Sequence, residues 1–231
     1  MSRNKKKNKP QVVRTGSIST SPTWEYFPWL ITCVFVLFAA WGLYKHEMWR
    51  DEHQTWLSAR DSSTFFDLYK NTIYDGHPIL WHSVLWIFSK LTSNYLIVQV
   101  INLVFATGCV FLLNRYSPLP LIWKAMISFS YFFLYEYTII SRCYGLGLLL
   151  VIALCAVYSK RWERPWLVAI LLFLLANTSV YGMILSLCFG GVIFLDLVFT
   201  WKDNKAHTWK ILTTLVIGLI GVVLSFYQIY P

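Results

Sequence analysis

The chain has 231 residues, of which 57% are hydrophobic, 18% aromatic and only 13% charged, with a formal net charge of +9. A soluble domain carries about 25% charged residues, so this composition excludes a soluble globular domain and points to an integral membrane protein. The positive surplus is local. Arg3, Lys5, Lys6, Lys7, Lys9 and Arg14 precede the first apolar run, which reads as a cytoplasmic anchor rather than a nucleic-acid-binding tail.

In chain order, residues 1–23 are basic, then Ser/Thr-rich, and are expected to be a disordered cytoplasmic tail. The apolar run 27–44 is long for a signal sequence and lacks a small-residue cleavage site, so it is expected to stay as the first span. Residues 45–94 form the expected first outer loop. Within it, 52–60 and 63–73 read as short juxtamembrane helices. Trp56 and Leu57, then Phe65, Phe66, Leu68 and Tyr69, give them half-apolar faces suited to the membrane surface.

Apolar segments follow at 78–91, 95–113, 121–140, 143–159, 166–181, 182–200 and 210–229. If all of them crossed, Lys160, Arg161, Arg164 and the segment WKDNKAHTWK would lie outside, against the positive-inside rule. Segment 78–91 is short against the roughly 20 residues of a span. With that segment lying at the interface or re-entering, the basic clusters all fall inside and seven crossings result. Residues 24–231 are then one all-α transmembrane module. Its tight helical hairpin is expected near 181/182. The chain ends directly after its last apolar run, and reads as either a minimal protein or the front portion of a longer architecture.

This topology gathers polar groups on the outer side. Asp51-Glu52, in WRDEHQTW, sits where the chain leaves lipid. Desolvation makes a carboxylate a better general base, although acids also favour helix N-termini. In YDGHPILW, Gly76 allows a tight turn, Pro78 suits a first helical turn and Asp75 suits an N-cap. His77 is either a group facing the site or a simple junction. In SRCYG, Arg142 either snorkels to headgroups or grips a phosphate. Glu136, an acid at membrane depth, is a functional candidate or a partner of Arg142. Tyr144 and Tyr181 fall on the same side. Asp196 is expected to reach the cytoplasmic boundary. The five cysteines include no CxxC pair, and the histidines form no HExxH, so neither a disulfide framework nor a metal site is indicated. Asn177 heads an NTS sequon at a span edge, where glycosylation is not expected.

The order of these features resembles the polyprenyl-phosphate-sugar-dependent glycosyltransferases of the GT-C fold, among them protein O-mannosyltransferases and lipid A aminoarabinose transferases. The resemblance covers about residues 27–200 and rests on Asp51-Glu52, Gly76-His77-Pro78, and Ser141-Arg142 with Tyr144. It implies a membrane enzyme that transfers a sugar from a polyprenyl-phosphate donor to the hydroxyl of a protein, lipid or glycan, with inversion; compactness and short loops lead to the expectation of a bacterial plasma (inner) membrane. By the same resemblance Asp51 is the base, Glu52 orients the acceptor or the loop, and Arg142 meets the carrier phosphate. His77 and Tyr144 match motif positions of the family, and Glu136 and Tyr181, from their placement near the outer face, are expected to join them in substrate binding. No cofactor is implied, although oligosaccharyltransferases of this fold use a divalent metal. The chain departs from the pattern at Ile79, where a second proline is common, and in being much shorter than most members. A partner subunit is therefore left open. The rival readings are a lipid or sugar transporter and a non-catalytic lipid-binding subunit. The first would more often show charges deep in several spans; the second would tolerate Asp51→Asn.

Overall fold

The computed structural model describes residues 23–73, 75–201 and 205–230. The expected tail, residues 1–22, lies outside the described residues, as do Tyr74, residues 202–204 and Pro231. Every regular element among the described residues is helical. Apolar runs of this length demand that, because lipid offers no partner to an unpaired backbone N–H or C=O.

Five helices are long and apolar enough to cross a bilayer. They are α1 (Thr23–Lys45), α5 (Leu96–Tyr116), α7 (Cys143–Val157, extended by a 3-10 turn to Lys160), α9 (Val180–Phe199) and α10 (Thr208–Ile229). The protein is therefore an all-α, multi-pass membrane protein. The first loop carries α2 (Arg50–Asp61) and α3 (Phe65–Thr72), close to the two juxtamembrane helices expected there. Apolar α4 (Leu80–Ser89) packs on both of them. Thr64 starts α3 by reciprocal capping: its hydroxyl accepts from Asp67 N–H, while the Asp67 carboxylate accepts from Thr64 N–H. Trp56, Leu68, Trp81 and Leu85 are buried in one core with Val98, Ile101, Leu146 and Leu150. That apolar contact seats the loop helices on α5 and α7.

Two expected spans take a different form. Segment 121–140 is broken into α6 (Leu121–Ser128), a three-residue interruption and a π-helix (Phe132–Ile139). The buried Asn102 side chain on α5 explains where it ends. Asn102 Nδ2 lies 3.2, 2.8 and 3.3 Å from the carbonyl oxygens of Tyr137, Thr138 and Ile140, offering them a donor that the helix does not. Segment 166–181 gives α8 (Pro165–Ala176), only 12 residues long. The hairpin turn falls at 177–179 rather than 181/182, and Tyr181 belongs to the first turn of α9.

The order of contacts fixes how the helices run. On α1 and α5, Trp29 meets Phe111, and Phe35 and Ala39 pack with Ala106 and Val110, so the two helices are antiparallel. Helices α8 and α10 run parallel. Thr214 Oγ1 donates to Pro165 O at 3.0 Å, Gly221 approaches the Phe173 backbone, and Gln228 Nε2 reaches Asn177 Oδ1 at 3.3 Å. Small residues permit this close approach, as is usual between helices in lipid.

One end of the bundle thus collects the C-terminus of α1, helices α2–α4, the N-termini of α5, α7 and α9, and the C-terminus of α10. The opposite end is tied by two polar clusters. Lys124 Nζ donates to Asn114 O at 3.0 Å, and Asn114 Nδ2 donates to Ser128 Oγ at 2.9 Å. Asp196 does not simply run out to the boundary: it pairs with Arg161 at 2.9 Å and accepts from the Tyr158 hydroxyl.

Candidate active site

The first turn of α2 builds one wall of the site. Glu52 is its third residue, with a fully buried side chain. Its Oε2 accepts from Trp49 N–H at 2.7 Å and contacts His46 Nε2 at 2.9 Å. Its Oε1 accepts from Ser141 N–H at 2.7 Å, across 89 positions of sequence. A buried carboxylate is tolerable only when its lone pairs are met in this way. Both oxygens being engaged, Glu52 fixes the loop against the junction before α7.

Asp51 precedes it by one helical step, about 100° around the axis, and points elsewhere. Its side chain remains 58% exposed and lies 3.4 Å from Arg142 Nη1. Arg142 has an extended backbone, φ −123° and ψ 176°, as the residue that opens α7. This places its guanidinium between α2 and the loop before α4. The Arg142 Nη2 atom is 3.5 Å from His77 Nε2, and the guanidinium lies over the Tyr144 ring at 5.4 Å.

His77 is delivered by a turn whose Gly76 has φ 72°, a conformation that disfavours residues with a Cβ. Burial is the main cause that lowers the His77 pKa, with the neighbouring Arg142 and His82 adding to it against the opposing pull of Asp75 and Asp51. A neutral imidazole can accept from the guanidinium at Nε2. Helix α4 then starts at Leu80 with Ile79 as its N-cap, so Pro78 lies ahead of the first turn and Asp75 does not cap it. Instead Asp75 Oδ2 lies 3.2 Å from His82 Nε2, and that imidazole is the leading cause of its lowered pKa. The Ile79 N–H is met by Gln228 Oε1 at 2.8 Å, from the last turn of α10.

The His77 ring stands edge-on to Tyr144, with centroids 6.1 Å apart, and Tyr144 is 6.4 Å from Tyr181. A groove of about 180 Å³ opens beside them between α7 and α9. Tyr137, Tyr144 and Tyr181 line it, and Gly147, Leu148 and Leu185 continue it down the bundle. Asp51, Arg142, His77, Tyr144 and Tyr181 thus form one contiguous set. Glu136 stands apart from their contacts: it accepts from the Tyr131 hydroxyl at 3.2 Å and does not pair with Arg142. The four histidines near this end are dispersed. His46 meets Glu52, His77 meets Arg142, His82 meets Asp75, and His53 meets Tyr95. Among the described residues no three His, Cys, Asp or Glu side chains converge as metal ligands.

Sequence reasoning missed His46 and the Ser141 amide as partners of Glu52, the Asp75–His82 pair, and Gln228. Only Gln228 left a signal, as a polar residue near the end of an apolar run. Asn177, read as a sequon, is buried. Its Nδ2 donates to Phe173 O at 2.8 Å and Gly221 O at 3.3 Å, so the amide closes the hairpin.

The fold defines an all-α, multi-pass membrane protein with a polar site at one end of the bundle. No protein-family model, curated protein or solved structure matches the chain.

Proposed function

We propose that this protein is a membrane glycosyltransferase of the GT-C type, moving a sugar from a polyprenyl-phosphate donor to an acceptor hydroxyl with inversion. The observation that carries the reading is the exposed Asp51 carboxylate 3.4 Å from the Arg142 guanidinium, which lies over the Tyr144 ring that lines the groove between α7 and α9. The groove takes the first part of the isoprenoid. Arg142 receives the phosphate bidentately, and His77 orients the guanidinium by accepting from it at Nε2. Tyr144 and Tyr181 flank the sugar.

In the reaction the acceptor O–H gives its proton to Asp51 as its oxygen attacks the anomeric carbon. The bond from that carbon to the phosphate oxygen breaks, and polyprenyl phosphate leaves with the electron pair. Arg142 stabilises the charge that develops on the leaving group, an effect enlarged at a low-dielectric boundary. Glu52 holds Asp51 in place through the α2 turn. The acceptor is a protein, lipid or glycan hydroxyl.

The broken segment 121–139 and the short α8 serve as two further crossings, seven in all. The site end faces outward from the plasma (inner) membrane and the N-terminal tail lies in the cytoplasm. Charge supports that orientation: the six basic residues of the Arg3–Arg14 run precede α1, and with Arg115, Lys124, Lys160, Arg161, Arg164 and Lys210 at the opposite end they outnumber Lys45, Arg50, Arg60, Lys70, Lys90 and Arg142 at the site end.

The test is sugar release from a labelled polyprenyl-phosphate hexose in membranes, comparing wild type with Asp51→Asn at equal expression. Turnover abolished by the substitution supports the enzyme and its base together. Turnover that survives moves the base elsewhere. Failure of the wild type with a series of hexose and pentose donors favours the non-catalytic lipid-binding reading.

A further inference from the structure

A second cavity, of about 750 Å³, opens at the same end of the bundle but on the other side of α2. It lies where α1 and α5 part above their contact at Ala39 and Ala106. Ala40, Leu43, Val100 and Leu103 line its apolar part, and Glu47, His53 and Tyr95 line its mouth. His53 and Asp51 diverge from the first turn of α2, about 200° apart around its axis, so the cavity is separate from the Asp51–Arg142 pair.

Gln99 marks this cavity as a binding site. It sits on α5 within the apolar run and is only 8% exposed, yet its amide has no hydrogen-bond partner among the described residues. The amide atoms themselves stay accessible from the cavity, open to a ligand. The other polar groups at the cavity are also unengaged. His53 makes only a ring contact with Tyr95, at 5.1 Å, and neither Glu47 nor the hydroxyls of Tyr44 and Tyr95 form a hydrogen bond within the described protein. His46 is the exception, being engaged by Glu52.

We infer that this cavity binds an uncharged amphiphile with a hydroxyl-rich headgroup, such as a glycosyl diacylglycerol. The length of the cavity fits an amphiphile. From Tyr95 to Leu103 α5 advances about 12 Å, and over that distance the lining changes from polar to apolar. The headgroup hydroxyls meet His53, Glu47 and Gln99, and the acyl chain lies between α1 and α5. The lining also favours an uncharged headgroup over a phosphate. It contains no lysine or arginine and does contain the Glu47 carboxylate; the neighbouring cation, Lys45, is held over the Trp41 and Tyr44 rings, and Arg142 serves the other site. The inference does not depend on the reaction at Asp51.

The test uses a glucosyl diacylglycerol with a photoreactive diazirine in one acyl chain, in phosphatidylcholine nanodiscs with the full chain. Labelled positions are read by mass spectrometry. Labelling should concentrate on 40–48 and 95–103 and be competed by unlabelled glucosyl diacylglycerol but not by phosphatidylglycerol. Gln99→Leu, a nearly isosteric change in an apolar run, should weaken competition about ten-fold, and His53→Ala should weaken it as well. Asp51→Asn should leave it unchanged. Labelling of α9 and α10 by the same acyl chain reports that each variant remains folded. Equal competition by phosphatidylglycerol, or competition untouched by both cavity variants, would identify ordinary annular lipid and overturn the inference.

Discussion

Glu52 Oε1 and the Ser141 N–H are joined by a 2.7 Å hydrogen bond between positions 89 residues apart. That bond ties the loop carrying Asp51 to the junction carrying Arg142, so the separation of those two groups is set by a buried neighbour of each. Glu52→Ala leaves the amides of Trp49 and Ser141 without an acceptor. A destabilisation of about 3 kcal/mol is expected, read as a lower Tm in detergent. Glu52→Gln keeps one carbonyl oxygen and should recover part of it. An unchanged Tm in Glu52→Ala would show that the bond carries no structural load.

Arg142 reaches Asp51 and His77 with two different nitrogens, at 3.4 and 3.5 Å. An ammonium cannot reproduce that fork. Arg142→Lys is expected to lower kcat/KM for the polyprenyl-phosphate donor by about ten- to a hundred-fold. The fold should be preserved, since the lysine keeps the charge and a partly exposed ion pair contributes about 1 kcal/mol. Full activity in the lysine variant would remove the guanidinium from the proposed phosphate site.

Burial leads the causes that lower the His77 pKa in the folded protein, so the unfolded chain binds its proton more readily. The associated stability is present above the unfolded pKa of about 6.5 and is lost as pH falls through the lower folded value. Asp75, Arg142, His82 and Asp51 are the charged or titratable groups that act on His77. A neutral replacement, His77→Gln, should therefore flatten the decline of Tm on acidification from about pH 7 to pH 5 relative to wild type. If the two melting profiles run parallel through that window, the decline belongs to another group.

A Cβ on Gly221 would lie 2.9 Å from the Phe173 Cα atom, a contact with backbone that a side-chain rotation cannot relieve. Gly221→Ala should force α8 and α10 apart and destabilise the protein by about 1–3 kcal/mol. Because Gln228 on α10 also meets Ile79 N–H, amide exchange at the start of α4 should quicken. Exchange there that matches wild type would separate the α8–α10 contact from the His77 turn.

The sequence by itself determined the chain's class and much of its layout. A shortage of charge and long apolar runs forced helices in lipid, because hydropathy summed over a window reports burial without knowledge of neighbours. The two amphipathic helices of the first loop were legible for the same local reason. The Lys/Arg bias, together with the short 78–91 segment, grouped Asp51, Glu52, His53, Asp61, Asp67, Asp75, His77, Arg142, Tyr144 and Tyr181 on one side, and the structure joins Asp51, His77, Arg142, Tyr144 and Tyr181 in one contiguous set. What the window could not see was the choice of hydrogen-bond partner. Asn102 ends the π-helix from a different helix, and Asn177 closes its hairpin against Gly221 and Gln228. Glu52 lies buried beside an exposed Asp51 because its partners come from the 46–49 turn and from Ser141. Adjacent carboxylates look alike in sequence. Only the tertiary structure decided which one is held inside and which one is left exposed beside Arg142, because that depends on donors brought in from far along the chain.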